Sequence, residues 1–278
     1  HATWLELADK PLTRLSPWHQ YTLGTEQAMF RHPNLRAVIC NSRLVRNDIA
    51  SRFPAISDKL HVIYNSIDTD KFHPGLRESH RAPLRLKVSA DETAPVVLFV
   101  GSGYDRKGVA TLLEAIAQMD AKNAQAWIVG KDKDQAHYER MARKLGIDRR
   151  VRFFGAQADV RPFYGAADVF CLPTLYDPLP NDALEAFACG LPVITTTTCG
   201  AAEFVEPGIN GGLCPPRNPA ALANQLDALC LTGVSNNMRE AARTTIAALD
   251  PSSMADHLIA LYRECLGPAG EGQTVRRL

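Results

Sequence analysis

What the chain lacks narrows it first. Its net charge is only +1 over 278 residues, so no overall basic field argues for nucleic acid as a partner. No apolar run reaches the ~18 residues of a membrane span, and no signal-peptide pattern is read at the start; a cytoplasmic chain is expected. The seven cysteines are odd in number, scattered and nowhere spaced as CxxC, and no HxxxH pair occurs. Reduced, buried cysteines are therefore expected, with no disulfide framework and no structural metal. The basic run "RRVRF" reads as a solvated strand entry.

The chain is 46% hydrophobic and 22% charged, enough to bury a core in one or two domains. Apolar runs at 37–40, 60–64, 95–100, 126–130, 150–155, 168–173 and 192–196 read as strands. Amphipathic stretches such as "KGVATLLEAIAQM", "QAHYERMARKLG" and "NPAALANQLDALC" lie among them. Near-continuous apolar strands spaced by helices predict an α/β protein with a parallel sheet covered on both faces. The polar, proline-bearing stretch 73–94 reads as a surface linker between a short α/β piece and a complete α/β unit.

Ligands of such sheets bind beyond the carboxyl ends of the strands, where helix N-termini point outward, and three strand-to-helix junctions qualify. In "LFVGSGYDRKGVATLLEA", Gly101, Ser102 and Gly103 form a turn, with Arg106 and Lys107 at the opening of a helix. This is either an anion pocket suited to a diphosphate or a solvated cation pair. It is neither a Walker A loop nor the dinucleotide fingerprint, because Arg106 stands where the third glycine belongs. In "YDPLPNDALEAFACG", Asp177 sits on a loop stiffened by Pro178 and Pro180, with Asn181 as the expected N-cap and Glu185 inside the helix. A glutamate among Ala, Leu, Phe and Cys needs a partner: a ligand, a neighbouring arginine or a backbone N–H. In "ITTTTCGAAEFV", Thr197, Thr198 and Gly200 offer either ligand contacts or an ordinary cap.

Taken together, "GSGYDRKGVATLLEA", "YDPLPNDALEAFACGLPVI", "VIYNSIDTDKFHP" and "GINGGLCPPRNPAALA" resemble the retaining glycosyltransferases of family 4, closest in wording to bacterial lipopolysaccharide-core glucosyltransferases. The resemblance implies the GT-B fold of two Rossmann-like domains. Residues 1–72 would be the last part of the acceptor-side domain, 73–94 the linker, 95–250 the donor domain, and 251–278 a C-terminal helix and tail.

It also implies hexosyl transfer from a nucleotide sugar, expected to be a UDP-sugar serving as substrate rather than cofactor, to a glycan or lipid-linked saccharide; with Arg106, Lys107 and a helix N-terminus supplying positive charge, the transfer is expected to be metal-independent. Peripheral contact with the inner membrane face is a further expectation. Arg106 and Lys107 match the family's diphosphate-binding pair. Asp177 and Glu185 match its two acids, for the sugar and the ribose; Leu179, Pro180 and Asn181 line the loop between them. His1 falls where the family has an acceptor-side histidine. The chain departs from the family's pattern in having Asp177 for the usual first Glu and Pro180 for a common Gly, changes that bear on the sugar more than on the reaction. A GT-B nucleotide-sugar 2-epimerase and a non-catalytic nucleotide-sugar module remain the alternatives.

Overall fold

A computed structural model describes residues 16–267; His1 lies outside them. Six parallel strands form the main sheet: β3 (Val96–Val100), β4 (Gln125–Val129), β5 (Val151–Gly155), β6 (Val169–Leu172), β7 (Val193–Thr196) and β8 (Gly211–Cys214), in the order β5-β4-β3-β6-β7-β8. Every residue of β3, β6 and β7 is buried, which is why these segments are apolar throughout rather than alternating. The order steps one way from β3 to β5 and the other way from β6 to β8. Right-handed crossovers running in opposite directions lay their helices on opposite faces, and the direction changes between β3 and β6. That switch point is where such a sheet opens a crevice.

A second, two-stranded parallel sheet, β1 (Val38–Cys40) and β2 (Leu60–Val62), belongs to the segment before residue 72. Its small core gathers Phe30, Cys40, Ile56 and Leu60. Helix α1 (Pro17–Phe30) precedes it, and α2 (Arg43–Arg52) joins its strands, capped by the Ser42 hydroxyl accepting from the Val45 amide.

The stretch 73–94 is not the aperiodic surface linker its prolines and charges suggested. It contains α3 (Leu76–Lys87), which packs against α7 (Arg161–Ala166). Pro83 removes one helical N–H donor. The helix is anchored instead by Arg85, 1% exposed, whose guanidinium donates to the carbonyls of Ala166, Asp91, Glu92 and Ala94 and to the Asp168 carboxylate.

Nor is "RRVRF" a solvated entry. Arg150 donates to the carbonyls of Ala124, Ile116 and Ala121, and Arg152 to those of Val88 and Ser89, so both tie loops to the edge strand. The cysteines are free, six of them buried. Among the described residues, no helix is long and apolar enough to cross a membrane.

Candidate functional site

The loops that leave β3 and β6 at the switch point carry the predicted residues. After Val100 the chain turns through Gly101 at φ +144 and Gly103 at φ +76, a path closed to ordinary side chains. Ser102 and Gly103 are exposed at its mouth. A Cβ on Gly101 would stand 2.7 Å from the Lys107 Nζ, so the missing side chain is what lets Lys107 lie across the loop.

Arg106 and Lys107 are placed differently from the expectation. They close a one-turn helix, α4 (Tyr104–Lys107), rather than opening a long one. Gly108 at φ +78 then restarts the chain as α5 (Val109–Gln118). A Cβ on Gly108 would come within 1.9 Å of the Pro173 carbonyl oxygen. The end of β6 is therefore pressed against the β3 loop, and the two cations owe their position to that contact rather than to a helix dipole.

Arg106 Nη1 donates to the Tyr176 carbonyl and to Asp177 Oδ2, both at 2.8 Å. Lys107 Nζ lies 4.0 Å from the same Asp177 oxygen and makes a direct ion pair with Asp182. Asp177 and Lys107 are each 7% exposed, so these are charges in low dielectric, where pairing is strong. From behind, the Gly200 amide donates to the Asp177 carbonyl at 2.8 Å. Of the threonines before it, Thr196 is buried, Thr198 is half-buried and Thr197 is exposed. Thr196 donates to the Thr174 carbonyl, Thr198 lies 3.2 Å from the Thr196 hydroxyl, and the Thr197 amide donates to Cys214. The third junction thus braces the Asp177 loop.

Helix α8 (Asn181–Ala188) begins with Pro180 in the N-cap position, which corrects the assignment of Asn181. A proline at φ −74 is already in the conformation a cap needs, and Asn181 becomes the first helical residue. Its Oδ1 accepts instead from Asn65 Nδ2 at 2.9 Å, and the same amide lies 3.4 Å from the Leu179 carbonyl. A residue that follows β2 thereby fixes the Leu179–Asn181 loop. Glu203 makes a parallel tie, accepting from the Leu44 amide and the Tyr64 hydroxyl at 2.8 Å each.

Among the described residues, Glu185 meets neither an arginine nor a backbone N–H. Its Oε2 accepts from the Tyr164 hydroxyl at 2.8 Å. Burial pushes its carboxyl up to about 7; Asp182 adds to the rise, and the tyrosine and the lysines Lys71 and Lys107 resist it. A carboxyl raised in the folded state binds its proton more tightly there than in the unfolded chain. Its stabilising effect is full below the ordinary glutamate value and is lost as pH rises through about 7. Glu185→Gln is expected to remove a pH-dependent loss on the order of 2–3 kcal/mol between about pH 4.5 and 7.5. Urea unfolding at stepped pH checks this: parallel stability profiles for the two proteins would contradict it.

Asp182, Tyr164 and Asn65 complete the site and drew no prediction. Asp182 and Glu185 are spaced to share one helix face, which is a readable signal; that the face meets Lys107 is not. The chain also holds two Asp-x-Asp triplets, at 68–70 and 132–134, whose first acids are engaged with backbone. Asp132 accepts from the amides of Tyr104 and Asp134, and Asp68 from those of Asp70 and Lys71.

Residues 94–232, half of the chain, match the family described as glycosyl transferases group 1, and residues 1–71 match glycosyltransferase family 4. The lipopolysaccharide core biosynthesis glycosyltransferase LpsE of Rhizobium meliloti is 39% identical over 127 residues, covering 46% of this chain and 37% of that protein. The lipopolysaccharide glucosyltransferase WaaG of Escherichia coli is 28% identical over 197 residues, covering 70% of this chain and 52% of WaaG. The chain thus spans about half or less of these curated relatives. A crystal structure of WaaG superposes with a TM-score of 0.77 at 26% identity, over 91% of this chain and 69% of that one. The sheet with its switch-point crevice is accordingly of the GT-B type, and the chain belongs to the group 1 glycosyl transferases.

Proposed function

We propose that this chain carries the donor site of a retaining hexosyltransferase. It would move glucose or a related hexose from a UDP-sugar to a glycan or lipopolysaccharide-type acceptor, working in the cytoplasm or at the inner membrane face. The observation that carries this reading is the convergence of Arg106 and Lys107 on Asp177 at the switch point. The names of LpsE and WaaG support the acceptor class.

Arg106 and Lys107 hold the diphosphate and stabilise the charge that grows as it leaves. Asp177 takes donor-sugar hydroxyls, and Glu185, oriented by Tyr164, takes the ribose. Gly101, Ser102 and Gly103 leave space for the nucleotide, and the Leu179–Asn181 loop contacts sugar and phosphate. With these two cations in place no divalent metal is required. Transfer breaks the bond from the anomeric carbon to the phosphate oxygen while the acceptor hydroxyl attacks the same face. The hydroxyl's proton passes to the departing phosphate, so no covalent sugar adduct forms.

Radiolabelled UDP-glucose and a truncated lipopolysaccharide acceptor, with NMR of the product anomer, test the reading on the full-length enzyme. Transfer with retention is expected; an inverted product overturns it. Lys107→Ala is expected to weaken UDP binding about 10- to 150-fold, the scale of a charge-assisted contact of ~1.5–3 kcal/mol. Calorimetry showing unchanged UDP affinity would remove Lys107 from the phosphate site.

A further inference from the structure

Lys107 is held by two carboxylates of unequal standing. Its side chain is 9% exposed and lies across Gly101. Asp177 is the distant partner, with its Oδ2 4.0 Å away and already accepting from Arg106 at 2.8 Å. Asp182 is in direct contact with Nζ through its own Oδ2. Asp182 is also the more open of the two acids, 24% exposed at the side chain against 9% for Asp177. It stands in the first turn of α8, and its main-chain carbonyl is separately fixed by the Tyr164 hydroxyl at 3.1 Å.

Two cations, Arg106 and Lys107, thus face two anions, Asp177 and Asp182, within one small cluster. An incoming phosphate meets no net attraction there while the Asp182 carboxylate keeps its hold on Lys107. We propose that Asp182 is a resident competitor for the diphosphate at Lys107, a carboxylate that holds this lysine until a more highly charged ligand displaces it. The proposal rests on the donor-site reading above.

A nucleoside diphosphate or pyrophosphate carries enough charge to displace the carboxylate, whereas an uncharged nucleoside gains nothing from displacing it. Asp182 therefore lowers affinity for anionic ligands and leaves that for an uncharged nucleoside as it is. A carboxylate that served only to hold Lys107 in place would act with the opposite sign, because its loss would free the lysine and weaken the binding of anions.

The test is calorimetry of the full chain and of Asp182→Asn with UDP, inorganic pyrophosphate and uridine. Removing one negative charge beside a buried lysine is expected to tighten UDP and pyrophosphate roughly tenfold and to leave uridine unchanged. Asp182→Ala serves the same purpose should the asparagine protein not fold, since the Tyr164 contact uses only the backbone of Asp182. A second readout is the Glu185 carboxyl, which Asp182 helps to raise; its titration, followed by carboxyl NMR, is expected to move to lower pH in the variant. Equal or weaker pyrophosphate binding by the variant overturns the proposal while leaving the donor site standing. Equal tightening of uridine overturns it too, by showing a change of shape rather than of charge. Failure of the unaltered chain to bind UDP or pyrophosphate overturns the donor-site reading and this proposal together.

Discussion

Asp168→Asn is expected to cost about 3–5 kcal/mol of folding stability, the scale of removing one partner from a buried ionic network. Four arginines converge on this carboxylate: Arg85 at 2.7 Å, Arg81 at 2.8 Å, Arg77 at 3.2 Å and Arg239 at 3.6 Å. The Val96 amide adds a hydrogen bond at 3.0 Å. Burial alone would raise the Asp168 carboxyl, but Arg81 and Arg85 outweigh it and the net displacement is downward. Burial, then repulsion from Arg77, brings the Arg239 guanidinium down to about 10. The cluster therefore holds more positive charge than its single acid neutralises, and backbone carbonyls of residues 91, 92, 94, 166 and 167 supply the remainder. Without the acid, four guanidiniums would face one another in a half-buried site.

Because the folded-state value is depressed, the contribution of Asp168 is present above the ordinary aspartate value of ~3.9 and is lost as pH falls through the folded-state value. Urea unfolding at neutral pH is the measurement. The exposed Asp159–Arg161 pair, with both side chains about two-fifths accessible, is the control, since solvent screens it and its removal changes little. Equal costs for Asp168→Asn and Asp159→Asn would show that α3 is docked by its apolar contacts alone.

Segments whose signal is local were readable in the sequence. β3, β6 and β7 stand within a residue of the apolar runs that predict them, because buried parallel strands need no alternation. β8 escaped notice because "GGLC" offers two glycines where a strand signal needs branched or aromatic side chains. Helix α3 was hidden by Pro83 and by its charges. Those charges face Asp168, an acid 83 to 91 residues away that no periodicity exposes. The candidate site divides the same way. Arg106, Lys107, Asp177 and Glu185 were visible through their spacing around two glycine- and proline-marked turns. What they touch was not, because the Lys107–Asp182, Tyr164–Glu185 and Asn65–Asn181 pairs close over 75, 21 and 116 residues.

The largest catalytic effect is expected at Asp177. Asp177→Asn keeps much of the hydrogen-bonding capacity of the side chain but removes the negative charge that Arg106 meets at 2.8 Å. If Asp177 orients the donor sugar and favours an oxocarbenium-like transition state, the full-length enzyme loses roughly 10- to 1,000-fold in kcat, the scale of one electrostatic contact to developing charge. UDP affinity holds or rises slightly, since Arg106 and Lys107 are then less neutralised. If Glu185 takes the ribose, Glu185→Gln acts in the opposite sense: kcat is largely kept and the donor KM rises, because such a contact is made equally in ground and transition states. Steady-state kinetics of both variants separate the two roles. A covalent sugar adduct trapped on Asp177 would make this carboxylate a nucleophile. An Asp177→Asn enzyme whose loss lies wholly in KM would make it a binding group, with the charge relevant to catalysis carried by Arg106 and Lys107 alone.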